Sequence, residues 1–595
     1  MPTASDATEL PATAPQHSLR SDSARILELG SPRSLRILRA VSWGIAIAAG
    51  FLQTWAARFS TTPDGTCYLD IASAYLRGDW HNALNSYWSP FFSWLLALAM
   101  WIFHPNPYWE STLLHLVNFA GLLAALVCFE FFFRSFLRDG RQFASTEDPG
   151  HALPEFAWWT LGYGLFLSTT LFLLPATDTS PDIWVSAVTY IVAGLILRIR
   201  IGGGWRLFTL LGFTLALAYL TKTFYFPITF VFLPAAWMAA GNLRHTAKQA
   251  ALALVIFFAV AGPWIFALSR SRHRATFGDV GRLALDINMD QIPQPFFWQG
   301  ENGSGVPKHP VRRLLSHPRV FEFAAPIAGT YPPAFDQPYW MEGVRLNPGF
   351  PGLSAVLRQP FGTFFQIWQL QLEYAVLLLV LFLAAAGRAA WWDQLREQAS
   401  LWLPPLVACS SYAIVLVEFR YVAPFVLLLW LAAISGFLYS RPEVPRRFLF
   451  ALILAVFCVT GLKAAKFAVS DLLAIRSSRE NVDWEVAQGL RNLGLQPGDS
   501  VAGLSRVAEI PLGDENVFWV AGREAKRNIF RILAGTGAKM VVTKNPPPSA
   551  LNEGWIPLGN TSFFAYPLLS PVAGAPYAGL ARAEFRPAEA IHRKP

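Results

Sequence analysis

The chain has 595 residues, of which 53% are apolar and only 15% are charged, and its mean hydropathy is +0.35. A soluble protein of this length exposes far more charge, so the composition excludes an ordinary soluble enzyme and favours a polytopic membrane protein. The formal net charge of +9 suits loop arginines and lysines that orient membrane helices, and the lack of a basic stripe interleaved with aromatic residues argues against nucleic-acid binding.

Eleven apolar segments are predicted to cross the lipid bilayer. Residues 1–37 precede them and are predicted to form a disordered cytoplasmic tail, because they are polar and lack a helical or strand pattern. The first apolar run is too long and too late for a cleaved signal peptide. The predicted spans are 38–58, 109–133, 155–175, 183–199, 205–221, 223–241, 249–268, 368–386, 401–417, 421–439 and 447–465.

The charges between the spans predict their orientation. If the short Trp- and Phe-rich run 89–104 lies on the membrane surface, the Arg-rich loops around 134–141 and 441–447 fall on one side, and the short loops with only Lys222 and Arg420 fall on the other. The positive-inside rule then places the N-terminus in the cytoplasm and the C-terminus outside. A crossing by residues 89–104 would invert every later loop.

Three predicted outside regions are large enough to contribute to a site. Residues 59–108 contain an amphipathic stretch and the surface helix, and 270–360 form a loop that is too long to be structureless and is predicted to be a packed lid or substrate loop. Residues 466–595 have the pattern of a small α/β domain. The predicted fold class is therefore mainly α, with a polytopic helical domain over 38–465 and a C-terminal α/β domain. The C-terminal elements are predicted as a helix over 484–493 and strands over 500–504 and 539–543.

Polar residues gather at the outside ends of the spans, where charge near hydrocarbon is costly and a functional role is the default hypothesis. Lys222 and Arg420 break the positive-inside pattern, and an anionic phosphate is the simplest reason for positive charge there. Asp64 and Asp182 each follow a proline, which also suits a turn or a helix N-cap. Neighbouring candidates for substrate contacts are Asp70, Tyr68, Asp178, Glu418, His309, Tyr331 and Trp340.

Residues 64–72, which read DGTCYLDIA, and residues 78–80, which read GDW, resemble the first outside loop of the GT-C superfamily of glycosyltransferases. The resemblance is to the branch of protein O-mannosyltransferases and lipid A aminoarabinose transferases. The sequence departs from that pattern at Gly65, where the family often has Glu, and at 87–90, where the aminoarabinose branch has Glu-Lys-Pro-Pro. Further matches are PD at 181–182, AYLTK at 218–222 and RY at 420–421 with Pro424.

The resemblance implies an enzyme that moves a sugar, with inversion, from a polyprenyl-phosphate carrier to an acceptor hydroxyl on the outer face of a bacterial inner membrane. It implies that Asp64 is the general base, that Lys222 and Arg420 bind the donor phosphate, and that Asp182 orients the acceptor or a bound ion. The sugar, and whether the acceptor is a lipid, a glycan or a protein, stay open. The C-terminal domain would then be periplasmic.

Other functions stay open beside this one. A secondary transporter or flippase for a lipid-linked or small anionic substrate usually has charge near the midplane and repeat-related halves, and the sequence displays neither. A non-catalytic membrane scaffold and, among enzymes, a polysaccharide ligase or polymerase are further alternatives. The dispersed His and Asp residues make no metal motif, and a requirement for a divalent metal stays open.

Overall fold

The structure of the protein is a computed structural model. It describes residues 31–143, 153–290, 298–300, 303–316, 319–322, 329–345, 350–384, 388–439, 445–477, 481–496, 499, 501–503, 530, 533, 535–544 and 554–568. The chain divides into two compact units. The first comprises Met1–Val311 and Phe323–Arg479, and the second comprises Arg312–Glu322 and Glu480–Pro595.

The first described helix, α1, spans Pro32–Ala56. Ser31 caps it by accepting a hydrogen bond from the backbone N–H of Ser34 at 3.2 Å, and Pro32 occupies the first turn, where its missing N–H costs nothing. The prediction that 32–37 belong to a disordered tail is therefore wrong, because the cap lies ahead of the apolar run. Residues 1–30 lie outside the described part of the chain.

The other helices of the first unit follow in the order that the apolar runs predict. They are α2 (Pro63–Leu76), α3 (Trp80–Ala83), α4 (Pro90–Phe103), α5 (Glu110–Phe143), α6 (Glu155–Ser168), α7 (Asp182–Gly202), α8 (Trp205–Thr221), α9 (Tyr225–Ala239), α10 (Leu243–Ser271), α11 (Val280–Asp290), α12 (Pro332–Phe335), α13 (Gln337–Trp340), α14 (Phe350–Leu370), α15 (Leu372–Ala384), α16 (Arg388–Glu397), α17 (Ala399–Val415), α18 (Phe419–Tyr439) and α19 (Arg446–Ser477). A π-helical turn, Thr169–Leu173, continues α6, and a 3₁₀ turn, Pro107–Trp109, leads into α5.

Each of the eleven predicted spans overlaps one or two of these helices in the described residues, and the chain is an integral membrane protein. Among the described residues, seven helices are long and apolar enough to cross a membrane: α1, α5, α6 with its π turn, α7, α10, α18 and α19. The apolar helices α8, α9 and α17 have only 17, 15 and 17 residues, so their crossing stays a prediction. Helix α4 has 14 residues and rises about 21 Å, also less than the roughly 30 Å of a hydrocarbon core, and its surface position stays a prediction as well.

The predicted span 368–386 is wrong as one continuous helix, because the chain bends by 81° between α14 and α15. Gln371 occupies the break, and its side-chain oxygen accepts a hydrogen bond from Nε1 of Trp430 at 2.7 Å. Lys463 donates to the carbonyl of Leu370, at the end of α14, at 2.8 Å. Side chains from other helices thus satisfy polar groups that the bend exposes inside the bundle.

Helices α6, with its π turn, and α7 form the centre of the bundle, because most residues of their apolar segments are buried. At its edge, α8 packs against α10 at Gly212, where an added Cβ would lie 2.2 Å from the carbonyl oxygen of Ala253. Only glycine permits this approach. Close contacts through small residues let membrane helices pack without a hydrophobic driving force from water.

One end of the bundle is covered by α2, α4 and residues 329–345 of the predicted long loop. Phe335 packs with Tyr68 and Trp88 in a second apolar cluster. Asn85 donates to the carbonyl of Phe335 at 2.7 Å. In these residues the long loop is packed, as predicted, and it contacts the first outside region, while its role as a lid or substrate loop stays a prediction.

The second unit contains the predicted α/β elements. Its described elements are β1 (Arg312–Ser316), β2 (Arg319–Glu322), α20 (Val482–Asn492), β3 (Val501–Gly503), β4 (Met540–Thr543), β5 (Ile556–Pro557) and β6 (Phe564–Pro567). Strands β1 and β2 form an antiparallel hairpin, and the other four form a sheet in the order β3–β4–β6–β5. Strand β3 is parallel to β4, whereas the other pairs are antiparallel. The hairpin groups with this unit, although it lies within the loop that was predicted to belong to the membrane domain.

Candidate active site

Four predicted charged residues lie at helix ends on one side of the first unit. Asp64 is in the first turn of α2, and Asp182 begins α7. Lys222 directly follows α8, and Arg420 is in the first turn of α18. The four ends meet in space, although Asp64 and Arg420 are 356 positions apart. The predicted cluster therefore exists as a set of direct contacts.

The four side chains form a row of alternating charge, here called the ion-pair row. Nζ of Lys222 donates to Oδ1 of Asp182 in a close ion pair. The other carboxylate oxygen of Asp182 lies 3.6 Å from Nε of Arg420, whose Nη2 lies 3.4 Å from Oδ2 of Asp64. The carboxylates thus contact cations of the chain itself, and among the described residues no group of three or more His, Cys, Asp or Glu side chains is arranged to hold a metal ion.

The two carboxylates of the ion-pair row differ in exposure. The Asp182 side chain is 1% exposed and accepts a hydrogen bond from the Ser180 hydroxyl at 2.8 Å. The Asp64 side chain is 37% exposed, beside Arg420 at 24% and Lys222 at 19%. Asp182 is therefore placed to orient the two cations, whereas the other three groups are open to a ligand.

The segment that joins α6 to α7 is fastened by polar side chains from neighbouring helices. Gln53 of α1 accepts a hydrogen bond from the N–H of Ala176 at 3.1 Å. Asn118 of α5 donates to the carbonyls of Asp178 at 2.7 Å and Ser180 at 3.1 Å. The polar groups of irregular backbone in a membrane protein must form hydrogen bonds within the protein. These bonds therefore hold in place the backbone that leads to Asp182, the first residue of α7.

Gly65 allows the same segment to touch α2. A Cβ on Gly65 would lie 2.7 Å from Cβ and 2.8 Å from Oγ1 of Thr179. Thr179 shares a 2.5 Å hydrogen bond with Thr62, which caps α2 by accepting from the N–H of Gly65 at 3.2 Å. The departure from the Asp-Glu pattern therefore has a steric reason, since a larger side chain would push Thr179 away from the helix that carries Asp64.

Two half-buried carboxyls of the site, Asp64 and Asp178, have raised pKa values. Burial raises the pKa of Asp64 above its usual range, and the charge of Arg420 opposes that shift. Burial raises the pKa of Asp178 to about 6, again against the charge of Arg420, while Asp182 and Glu418 raise it further by repulsion. A carboxylate with a raised pKa is a stronger base for an acceptor hydroxyl.

Tyrosine rings lie against the ion-pair row. Nζ of Lys222 lies 3.4 Å from the centre of the Tyr421 ring, and the guanidinium carbon of Arg420 lies 5.3 Å from the same centre. Tyr68 is buried and Tyr87 is half-buried, both within electrostatic range of Asp64. The sequence signalled Tyr421 and Tyr68 through their motifs, whereas nothing in the local pattern distinguished Tyr87 from an interfacial anchor.

Asp70 and Tyr331 connect the long loop to α2. The Asp70 carboxylate accepts hydrogen bonds from the N–H of Thr330 at 2.6 Å and from its hydroxyl at 2.8 Å. Tyr331 packs against the apolar cluster around Tyr68. These contacts give both residues a structural role, and a contact of either with substrate stays a prediction.

His309 and Trp340 make contacts within the long loop. The His309 ring stacks on Tyr339 with ring centres 4.0 Å apart, and its Nε2 lies 3.1 Å from Glu342. Trp340 is 4% exposed and donates to the carbonyl of Pro332 at 3.2 Å. The structure therefore brings neither residue into the ion-pair row, and their contact with substrate also stays a prediction.

No family model and no curated protein matches this chain. Among solved structures, it is similar to ArnT from Cupriavidus metallidurans bound to undecaprenyl phosphate, with a TM-score of 0.38 and 14% identity over 90% of this chain and 99% of that one. It is also similar to the Archaeoglobus fulgidus oligosaccharyltransferase in the apo form, with a TM-score of 0.41 and 14% identity over 84% of this chain and 69% of that one. Similarity at this level establishes neither a family nor an activity, so the function must be argued from the residues of the site.

Proposed function

We propose that the protein is an inverting membrane glycosyltransferase that takes a sugar from a polyprenyl-phosphate donor. The observation that carries the proposal is the ion-pair row, in which an accessible carboxylate, Asp64, lies beside two cations oriented by the buried carboxylate of Asp182. One carboxylate for a proton and two cations for a phosphate are the groups that such a transfer needs.

In the proposed step, Asp64 removes the proton of an acceptor hydroxyl as the hydroxyl oxygen attacks the anomeric carbon of the donor. The new glycosidic bond forms as the bond between the anomeric carbon and the phosphate oxygen breaks, and the electron pair leaves on polyprenyl phosphate. A phosphate monoester has a second pKa of about 6, so the leaving group needs charge stabilisation more than a proton. Lys222 and Arg420 supply that stabilisation, and Asp182 is a positioning residue.

The contacts of Lys222 and Arg420 with the carboxylates leave some of their N–H donors for a phosphate. The Lys222 ammonium has three donors and the Arg420 guanidinium has five, and the described contacts use only some of them. A donor phosphate can therefore join the row without breaking the contact of either cation with Asp182. We place this chemistry on the periplasmic face of a bacterial inner membrane, in agreement with the predicted orientation.

The test uses the purified full chain in liposomes with host membrane extract as the acceptor source. A polyprenyl-phosphate hexose or pentose labelled in the sugar is supplied, and loss of label from the carrier is followed. We expect Asp64→Asn to lower the rate by roughly 10²–10⁴-fold, the usual contribution of a general base. Asp393→Asn is the matched control, because Asp393 is an exposed residue of α16 whose ion pair in the described part of the chain is with Arg396 of its own helix, and it should transfer at the wild-type rate.

Three results would contradict the proposal. Equal turnover by Asp64→Asn and the wild type would contradict the assignment of Asp64 as the general base. Movement of the intact donor across the bilayer, with no sugar transferred, would favour a flippase. Extension of a lipid-linked glycan as a block would favour a polysaccharide ligase or polymerase.

A further inference from the structure

A second charged site lies at the end of the first unit opposite Asp64. The N-terminal part of α1, the C-terminal part of α5 and the start of α6 line an open cavity of about 370 Å³ there. The 25 residues of α1 rise roughly 37 Å, so this cavity is separated from the ion-pair row by most of a membrane thickness. Its size falls within the range of ligand sites. The charged residues that line it are Arg36, Arg39, Arg134, Arg138, Glu130 and Glu155.

Glu130 organises the cavity. Its side chain is 6% exposed and accepts hydrogen bonds from Nε of Arg39 at 2.7 Å and from Nη2 of Arg134 at 3.0 Å. It also accepts from Nε1 of Trp43 at 2.6 Å and from the hydroxyl of Tyr163 at 2.7 Å. The side chains of Arg39 and Arg134 stay 48% and 51% exposed, so the buried carboxylate holds two guanidinium groups that line the cavity and remain half exposed.

The cavity as a whole has an excess of positive charge. Four arginines against two glutamates leave a formal charge of +2. Arg36 and Arg138 are both exposed and complete a set of four guanidinium groups from two helices. Arginines that only orient a span need no cavity and no buried carboxylate to align them. Planar guanidinium groups held in this way match the paired oxygens of a phosphate.

The surface beside the cavity is apolar. Ile37 and Val41 of α1, four positions apart and therefore on one helix face, are 55% and 48% exposed. Leu35 and Leu137 line the cavity itself. A ligand with a phosphate head and apolar chains can place the head among the arginines and its chains along α1. By the predicted orientation, the cavity faces the cytoplasmic leaflet, where basic pockets between spans meet anionic head groups.

We propose that this cavity binds the phosphodiester head group of an anionic phospholipid. The proposal does not depend on the transfer reaction at the other end of the bundle. The four arginines bind the head group, and Glu130 is a positioning residue for Arg39 and Arg134.

The test measures lipid binding to the purified full chain by native mass spectrometry. Phosphatidylglycerol is compared with phosphatidylcholine of the same acyl chains, and inorganic phosphate is a separate arm. We expect the wild type to prefer phosphatidylglycerol and the double variant Arg36→Gln/Arg138→Gln to bind it about 30-fold more weakly, as expected for two basic residues at a membrane surface. The charge-conserving pair Arg36→Lys/Arg138→Lys should recover most of the binding.

The matched control removes the same charge elsewhere at this end of the bundle. Arg33 and Arg206 are exposed and do not line the cavity, so Arg33→Gln/Arg206→Gln should bind as the wild type does. Equal weakening in the control pair would show a diffuse charge effect and overturn the site. Equal binding of both phospholipids would overturn the anionic head group. Inorganic phosphate that binds as tightly as phosphatidylglycerol would overturn the lipid assignment.

Discussion

The guanidinium of Arg420 lies 3.4 Å from the carboxylate of Asp64, although 356 positions separate the two residues. The contact opposes the upward shift that burial causes in the pKa of Asp64. Arg420 also faces Asp182 at 3.6 Å, so the proposed base and the proposed phosphate-binding group belong to one electrostatic network. A substitution of one residue of the ion-pair row should therefore change the pKa of another residue in the row or the free energy of unfolding.

The pH dependence of transfer should follow the Asp64 carboxyl. A general base works in its deprotonated form, and burial raises the pKa of Asp64, so kcat/KM should fall as the pH drops through a value above the usual 3.9 or so for Asp. Arg420→Gln removes the positive charge that lowers this pKa, so the acid limb of its residual activity should move to higher pH. The measurement is the initial rate across acidic to neutral pH.

The control for this titration is Asp178, whose pKa is about 6. Asp178→Asn should keep an acid limb, because Asp64 still titrates. Loss of the acid limb in Asp178→Asn would assign the titration to Asp178 and contradict the role of Asp64. If the acid limb of the pH–rate profile of Arg420→Gln stays at the wild-type pH, Arg420 and Asp64 are not coupled.

The ion pair between Lys222 and the buried Asp182 carboxylate should couple the two residues in stability. Lys222→Gln leaves the 1%-exposed Asp182 carboxylate with its described contacts to Arg420 and Ser180, and the loss of its closest cation should cost about 3 kcal/mol of unfolding free energy. It should also raise the KM for the donor, because one phosphate contact is lost. Adding Asp182→Asn removes the buried charge and should restore most of the stability but not the activity.

Thermal unfolding of the single and double variants, with donor kinetics beside it, measures this coupling. Additive losses of stability in the double variant would contradict a direct ion pair. Full recovery of activity in the double variant would contradict a phosphate-binding role for Lys222.

The contact between Gly65 and Thr179 predicts a steric requirement. Gly65→Ala places a Cβ 2.7 Å from Cβ of Thr179, so we expect a loss of about 1–3 kcal/mol of unfolding free energy from overpacking. Transfer should fall with it, because the start of α2 carries Asp64. Gly44→Ala is the matched control in a helix with open space around the position, and it should be neutral or slightly stabilising. Equal effects of the two substitutions would show that Gly65 is not constrained by Thr179.

The predicted orientation can be checked with cysteines introduced at exposed positions. With Cys458, the exposed native cysteine, replaced by alanine, Asn106→Cys should react with a membrane-impermeant maleimide from outside intact spheroplasts. Gly202→Cys should react only after permeabilisation, since it lies at the other end of the bundle. Both positions are exposed. Labelling of position 202 from outside would invert the topology and place the ion-pair row in the cytoplasm.

Local patterns predicted the helices well because each one depends on a continuous apolar run or on a cap. The α8 range of Trp205–Thr221 was predicted to the residue, and the break at Gln371 was missed. A bend inside an apolar run is invisible locally when the groups that satisfy it, such as Trp430 and Lys463, come from distant helices. The same reasoning applies to Glu130, which lies inside a predicted span. Its four hydrogen-bond donors could not be predicted locally, because most of them come from other helices.

The sequence by itself determined that Asp64, Asp182, Lys222 and Arg420 lie at one end of a helical bundle, because apolar runs of membrane length leave their charged residues at the ends. Only the tertiary structure decided that Asp182 is buried and bonded to the two cations while Asp64 stays open. The physical reason is that exposure and partners depend on contacts between helices far apart in the chain, which no local periodicity contains.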